Sequence, residues 1–120
     1  MKSILQFLLF AVAALAADLT GNWKAVYEVP NGDGKAERTF VFKLDGDKVT
    51  GETISQFTGK SVIEDGKQTG DTLTFTINAN FDGNDVKLKY SGKVADKEIN
   101  FHVESADGGF SMDHVAKKVS

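Results

Sequence analysis

Apolar and polar residues alternate along most of the chain after Asp18. Leu73, Phe75 and Ile77 alternate with threonine and asparagine over one stretch. The same alternation recurs at 40–44, 86–91 and 99–104. A period of two residues puts the apolar side chains on one face, which is typical of a half-buried strand in an antiparallel sheet. No stretch after Asp18 keeps a helical period, so the pattern predicts an all-β chain.

Turn residues separate these runs. Asp-Gly and Asn-Gly pairs, which tolerate the positive φ angles of tight hairpins, recur between them. The turns bound eight predicted strands at 21–29, 35–44, 48–56, 60–68, 72–80, 85–94, 98–105 and 110–118. A two-sheet β-sandwich normally needs long crossovers between its sheets, whereas the connections here are short. The pattern favours an eight-stranded antiparallel up-and-down β-barrel, with the sandwich as the alternative.

One face of these strands supplies the interior of the predicted barrel. Its residues are Trp23, Ala25, Tyr27, Val29, Phe40, Phe42, Leu44, Leu73, Phe75, Ile77, Phe81, Val86, Leu88, Tyr90, Ile99, Phe101, Val103, Phe110 and Met112. A barrel of eight strands is either filled by its own side chains or holds one small ligand. The many aromatic residues favour filling, and a small apolar pocket at one mouth is the other option, lined by Phe40, Phe42, Phe75, Tyr90 and Phe101.

The N-terminal segment has the pattern of a secretory signal peptide. Lys2 precedes an apolar run over 4–15, and Ala14-Leu15-Ala16 offers small residues at the positions that signal peptidase reads. The run is shorter than the roughly 20 residues of a membrane-spanning helix. We therefore expect a signal peptide at 1–16, a single domain at 17–120 without stable membrane insertion, and export to a periplasm or the extracellular space.

Composition narrows the function classes. The chain has 120 residues and no cysteine, which excludes disulfides, thiol catalysis and cysteine-based metal sites. Its net charge of −3 argues against nucleic-acid binding, which needs a basic surface. The sequence lacks the nucleophile, phosphate-loop and dinucleotide motifs of common enzymes, and the carboxylates of its turns do not follow a calcium-loop pattern. We expect no catalysis, no cofactor and no metal.

The start of the predicted domain carries a family resemblance. Gly21-Asn22-Trp23 lies in the first predicted strand, and Ala116-Lys117-Lys118 lies in the last. With the meander between them, the chain resembles the calycin group of barrels, which includes lipocalins, fatty-acid-binding proteins and avidins. The start Leu19-Thr20-Gly21-Asn22-Trp23, and Asp65-Gly66-Lys67 followed by Gly70-Asp71 and Phe75, resemble more closely small exported bacterial proteins of unassigned function. The resemblance implies that Trp23 closes the barrel base and that Lys118 or Lys117 covers it, where most lipocalins use arginine.

Three polar residues are candidates for a role in the interior or on the sheet. His102 falls on the outward phase and is expected in water. His114 falls on the inward phase, where a core histidine bonded to Tyr27 or Tyr90 is favoured over a ligand contact. Arg38 is predicted on the same face of its strand as Phe40. We favour a solvent-exposed position at the rim of the barrel over contact with an anionic head group.

The sequence predicts a non-catalytic exported barrel that binds a small apolar or amphipathic ligand in its lumen or mouth. The candidate ligand-binding residues are Arg38, Phe40, Phe42, Phe75, Tyr90, Phe101 and His114. The alternative is a protein-interaction module, such as a periplasmic inhibitor or a component of a surface assembly, with a packed interior. The protein partner in that case is not specified by the sequence.

Overall fold

A computed structural model of the chain describes residues 19–28, 34–81, 83–109 and 111–120. The predicted signal peptide, Val29, Phe110 and the side chain of Phe81 lie outside the described residues. The strands of the described ranges are β1 (Gly21–Glu28), β2 (Lys35–Asp45), β3 (Lys48–Ser55), β4 (Gly59–Val62), β5 (Glu64–Thr69), β6 (Thr72–Phe81), β7 (Asn84–Ala95), β8 (Glu98–Ser105) and β9 (Ser111–Lys118). No helix in these ranges has the length and apolar character needed to cross a bilayer.

The strands form one antiparallel sheet that closes on itself. Neighbours run in the order β2-β1-β9-β8-β7-β6-β5-β3, and β3 pairs again with β2. Both β4 and β5 pair with β3 and are separated only by Ile63, so together they occupy one position in the wall. The wall therefore has eight strand positions, which confirms the predicted barrel. The predicted strand 60–68 is wrong in one respect, because the structure breaks it at Ile63.

That break is a corner in the wall. The Ile63 N–H donates to the Gly51 carbonyl at 2.9 Å, outside the regular ladder. Asp65 has a φ of 53°, and the β5–β6 register shifts between Glu64 and Lys67. Gly51 has a φ of 139°, and a Cβ there would overlap the Val41 carbonyl oxygen. A glycine and a bulge together let the sheet bend sharply enough to close.

The core lies inside this ring. The predicted interior residues that the structure describes with side chains are buried, except that Tyr27, Leu44, Val86 and Met112 are half-buried. Phe40 lies at the centre, with ring centroids 5.2 Å from Phe101, 5.7 Å from Phe42 and 5.9 Å from Tyr90. Each buried aromatic side chain contributes about 1.5–3 kcal/mol through its removal from water. The apolar side chains at every second position of the strands thus meet in one aromatic cluster.

One end of the barrel is closed by the N- and C-terminal segments. Trp23 is fully buried, and its Nε1 donates to the Leu19 carbonyl at 2.9 Å. The Lys118 Nζ lies 5.8 Å from the Trp23 ring centroid, within cation–π range. Asn22 N–H donates to the Ser120 carbonyl at 3.1 Å. The expected pairing of Trp23 with a cationic cover from the last strand is confirmed, and the cover is Lys118.

Candidate functional site

The end opposite Trp23, which we call the open end, has a polar interior. Buried polar residues lie on strands near this end: Arg38, Thr53, Ser55, Ser61, Ser105 and His114. The register places Arg38 opposite Ser55 and Thr53 opposite Ser61. The barrel is therefore aromatic at its centre and polar towards one mouth, a division that sequence alternation alone did not indicate.

Arg38 is the most unusual of these residues. It is only 2% exposed, so the expectation that it lies at the rim in water is wrong. Its Nη1 donates to Thr53 Oγ1 at 2.8 Å, and its Nη2 donates to Thr58 Oγ1 at 3.1 Å. No carboxylate of the described residues forms an ion pair with it. A buried cation that has only neutral partners is costly, because two hydroxyl dipoles do not replace its hydration.

Tyr90 adds a second unmatched polar group beside Arg38. Among the described residues, Arg38 Nε and Tyr90 Oη are the buried side-chain atoms that lack a hydrogen-bond partner. Burial raises the pKa of Tyr90 to about 12, although the Arg38 guanidinium favours its ionised form. Tyr90 is therefore a neutral hydroxyl with a donor to offer. An acceptor oxygen is the kind of group that satisfies such N–H and O–H donors.

His114 connects this interior to the mouth. It is 4% exposed, and its ring stacks on Tyr27 with centroids 4.1 Å apart. Its Nδ1 lies 3.1 Å from the Asp113 carbonyl oxygen. The expectation of a buried histidine beside Tyr27 is right, but the contact is a ring stack and the described hydrogen bond goes to the backbone. Burial, together with the Arg38 charge, lowers the pKa of His114 to about 4, so the imidazole is neutral at pH 7.

A cleft opens beside this stack, where β1 and β9 separate. The two strands pair only from Trp23 to Ala25 on β1, opposite Ala116 to Lys118 on β9. Beyond these pairs a cleft of about 390 Å³ forms, lined by Val26, Tyr27, Glu28, Met112, Asp113, His114 and Val115. Its size lies within the usual range for small-molecule sites. The cleft leads from solvent to His114, whose ring lies 6.4 Å from that of Tyr90.

The structure brings the seven predicted site residues together only in part. Phe40, Phe42, Phe75, Tyr90 and Phe101 pack on one another in the core and do not line the mouth cleft. An apolar ligand pocket lined by these five rings stays a prediction. Of the predicted set, His114 lines the mouth cleft, and Arg38 and Tyr90 lie behind it. Nothing in the sequence pattern marks Thr53 and Thr58 as site residues, because a hydroxyl side chain does not show that it will bond an arginine on another element.

A second cleft lies on the outer face of β6, β7 and β8. It has a volume of about 360 Å³, and the side chains on its surface are mainly Thr74, Thr76, Lys89, Ser91, His102 and Glu104. His102 is exposed, as expected, and its ring nitrogens lie 2.8 Å from Asp113 and 3.0 Å from Glu104. Hydrogen bonds that the His102 ring donates to the Asp113 and Glu104 carboxylates raise the pKa of His102. In the described ranges, no three His, Asp or Glu side chains group so as to hold a metal ion.

Comparisons with known proteins assign this chain to no family. No protein-family profile matches the sequence. No curated protein sequence matches it either. Among solved structures, the crystal structure of a point mutant of the fluorescent protein UnaG is similar to this chain. The two are 15% identical, the match covers 85% of this chain and 96% of that chain, and the TM-score is 0.47.

Proposed function

We propose that the protein binds one small amphipathic molecule at the open end of its barrel, without catalysis. The observation that carries this proposal is the pair of unmatched donors, Arg38 Nε and Tyr90 Oη, inside a buried interior. A carboxylate or another anionic oxygen would satisfy both donors and neutralise the arginine. Hydrogen bonds between charged groups of this kind are about twice as strong as neutral ones.

The apolar part of such a molecule has a matching surface. Tyr27, Met112 and His114 line the inner side of the mouth cleft, and His114 is neutral at pH 7. A molecule that occupied the cleft with its apolar end and pointed its polar end towards Tyr90 would meet both parts of the site. The proposed ligand is thus an amphipath with a single anionic or strongly accepting group.

A packed interior with a protein partner is the second candidate. The five aromatic rings of the core contact one another closely, with Phe75 and Tyr90 centroids only 4.7 Å apart. Such packing leaves the central lumen to the protein's own side chains and limits a ligand to the open end. Exposed Ile54, Phe57 and Val62 would then supply apolar contacts on the outside of the barrel.

Arg38→Met should separate the two candidates. We expect the anionic probe 1-anilinonaphthalene-8-sulfonate to bind the wild-type protein, and Arg38→Met to weaken it by roughly tenfold to a hundredfold, the value of one buried charged hydrogen bond. The neutral probe N-phenyl-1-naphthylamine should be affected by less than about twofold, since it has no charge for Arg38 to hold. Fluorescence titration measures both affinities.

Lys43→Met is the matched control, because it removes one exposed cation from the same strand. Near-UV circular dichroism must show native packing, since the anionic probe also binds loosely packed states. If neither probe binds the wild-type protein, the interior is closed and the protein-partner candidate replaces this one. Equal probe affinities in the wild type and Arg38→Met would remove Arg38 from the site.

We further propose that the chain is exported and processed after Ala16. Production in a bacterial host from the full sequence should yield a chain of 104 residues that starts at Ala17, because the small residues Ala14 and Ala16 fit signal peptidase. Intact-mass spectrometry of the periplasmic fraction and the medium measures this. Ala16→Lys should leave the precursor uncleaved, and a wild-type chain that keeps Met1 in the cytoplasm would contradict the proposal.

A further inference from the structure

The wall of the barrel has a seam where its first and last strands meet. β1 pairs with β2 along its whole length, but with β9 only from Trp23 to Ala25. β9 continues to pair with β8 as far as Ser111. We call the stretch in which residues 26–28 face residues 113–115 across the mouth cleft the seam. Each strand is thus anchored to its other neighbour there, and the two are not paired with each other.

Two carboxylates oppose pairing at the outer face of the seam. Continuing the β1–β9 register would place Glu28 directly opposite Asp113, and both side chains are exposed. Like charges in that position destabilise a strand pair. The Asp113 carboxylate instead lies 2.8 Å from Nδ1 of His102 on β8. The seam is therefore a stretch of the wall in which the strands are not drawn together by their outward side chains.

On its inner side the seam is closed by a ring stack. The same register would place Tyr27 opposite His114, and their rings lie with centroids 4.1 Å apart at an interplanar angle of 27°. Burial lowers the pKa of His114 to about 4, so both rings are neutral at pH 7. A stack of two neutral rings parts more easily than a ladder of several backbone hydrogen bonds.

The unmatched donors of the interior lie directly behind this stack. The His114 ring is 6.4 Å from the Tyr90 ring, and the Arg38 charge is close enough to act on the imidazole. The mouth cleft, of about 390 Å³, lies in front of the stack. The two stacked rings therefore separate the cleft from the Arg38 and Tyr90 donors.

From these observations we propose that the seam is the entrance to the barrel interior and that the stack of Tyr27 on His114 is its gate, which parts to admit an amphipathic ligand. This inference rests on the proposed ligand-binding function and adds the route that the ligand takes. The competing route runs past the turns of the open end and leaves the stack in place.

A disulfide across the seam tests the proposal. Val26 and Val115 are exposed on the outer face, and the continued register places them opposite each other. Opposite Cα atoms of an antiparallel pair are about 4.5–5.5 Å apart, a distance that a disulfide spans. The chain has no cysteine, so Val26→Cys combined with Val115→Cys forms one defined bond.

Oxidation of this double variant should lower the association rate constant of 1-anilinonaphthalene-8-sulfonate by about tenfold or more, because the observed rate scales with the fraction of molecules whose gate is open. Stopped-flow fluorescence measures the rate constant, and reduction with dithiothreitol should restore it.

Lys24→Cys combined with Lys117→Cys is the matched control, because these exposed lysines are opposite each other in the paired part of the same two strands. Its oxidation should leave the rate constant unchanged. Mass spectrometry under non-reducing conditions shows whether each disulfide has formed. A seam disulfide that forms and leaves the rate constant unchanged would overturn the proposal.

Tyr27→Ala acts in the opposite direction and decides the matter if the seam disulfide does not form. It removes one ring of the gate, so the association and dissociation rate constants of the probe should both rise by about twofold to tenfold, the value of one aromatic pair. Val26→Ala is its control, because Val26 is the exposed neighbour on the same strand. Rate constants no higher in Tyr27→Ala than in Val26→Ala would also overturn the proposal.

A ligand-free measurement separates the gate from the proposed function. Thr53 is fully buried beside Arg38, so Thr53→Cys carries a thiol inside the barrel. Methyl methanethiosulfonate should modify this thiol faster in combination with Tyr27→Ala than with Val26→Ala. Equal modification rates would contradict the gate. Faster modification in a protein that binds neither probe would support the gate and reject only the ligand.

Discussion

Phe40→Ala is expected to lower the free energy of unfolding by about 3–5 kcal/mol, the range for removing a fully buried phenylalanine ring. Phe40 is fully buried, and its ring contacts those of Phe42, Phe75, Tyr90 and Phe101. The cavity left behind is surrounded by rigid rings on a closed ladder, which limits relaxation. Equilibrium unfolding in urea measures the loss.

Phe57→Ala makes the same chemical change on the surface, because Phe57 is 56% exposed. It should change the free energy of unfolding by less than about 0.5 kcal/mol. A domain of this kind has only about 5–15 kcal/mol of total stability, so Phe40→Ala can leave it partly unfolded. Phe40→Leu then provides a milder test with the same direction. If Phe40→Ala and Phe57→Ala cost the same, the aromatic cluster is not the main source of stability.

Acid should destabilise the protein through His114. The folded-state pKa of His114 is about 4, below its ordinary value of 6.5. Between pH 6.5 and about 4, His114 is therefore protonated in the unfolded chain and neutral in the folded chain. The free energy of unfolding falls as the pH drops below 6.5. The loss is about 2 kcal/mol at about pH 5, since each pKa unit corresponds to about 1.4 kcal/mol. Urea unfolding at several pH values measures it.

Burial is the main reason that the pKa of His114 is low, and the Arg38 charge on β2 adds to it. The backbone hydrogen bond to Asp113 and the Asp113 charge act in the opposite direction and are outweighed. The rings of Tyr27 and Tyr90 lie nearest to the imidazole, with centroids 4.1 Å and 6.4 Å away. His114→Phe keeps a ring for Tyr27 to stack on, and should remove the dependence on pH in this range. An unchanged dependence in that variant would show that another group titrates.

His102 provides an internal control of opposite sign. Its carboxylate partners, Asp113 and Glu104, raise its pKa. Its contribution to stability is therefore complete below pH 6.5 and is lost as the pH rises through its folded pKa. His102→Gln should leave the acid-side decrease in stability intact, which separates the two histidines in the same measurement.

Sequence patterning predicted most of the wall and little of the candidate site. Period-two alternation gave the side of the sheet for Phe75 and Leu88 correctly, because a strand turns each successive side chain to the opposite face. Alternation could not show that Arg38 is buried. The burial of Arg38 depends on hydrogen bonds to Thr53 and Thr58, and the β2–β3 pairing places Thr53 near its guanidinium. The register of a distant pair is not encoded by the phase of one strand.

The mouth cleft was also beyond the reach of sequence reasoning. It exists because the pairing of β1 and β9 extends from the closed end only as far as the pair Ala25 and Ala116. Both strands continue with an ordinary alternating pattern, so nothing in the local sequence marks the point of separation. Likewise, the Ile63 break depends on how sharply the wall must bend to close at Gly51.

By itself, the sequence favoured an antiparallel barrel with an aromatic interior over a two-sheet sandwich, because local periodicity, turn chemistry and short connections point that way. The resemblance to the calycin group, and not the periodicity, implied that Trp23 and a C-terminal lysine close one end. Only the tertiary structure decided that Arg38 is buried without an acidic partner among the described residues, that Tyr90 keeps an unmatched hydroxyl, and that a cleft opens beside His114. Those features depend on distances between strands far apart in the chain, which are set when the barrel closes.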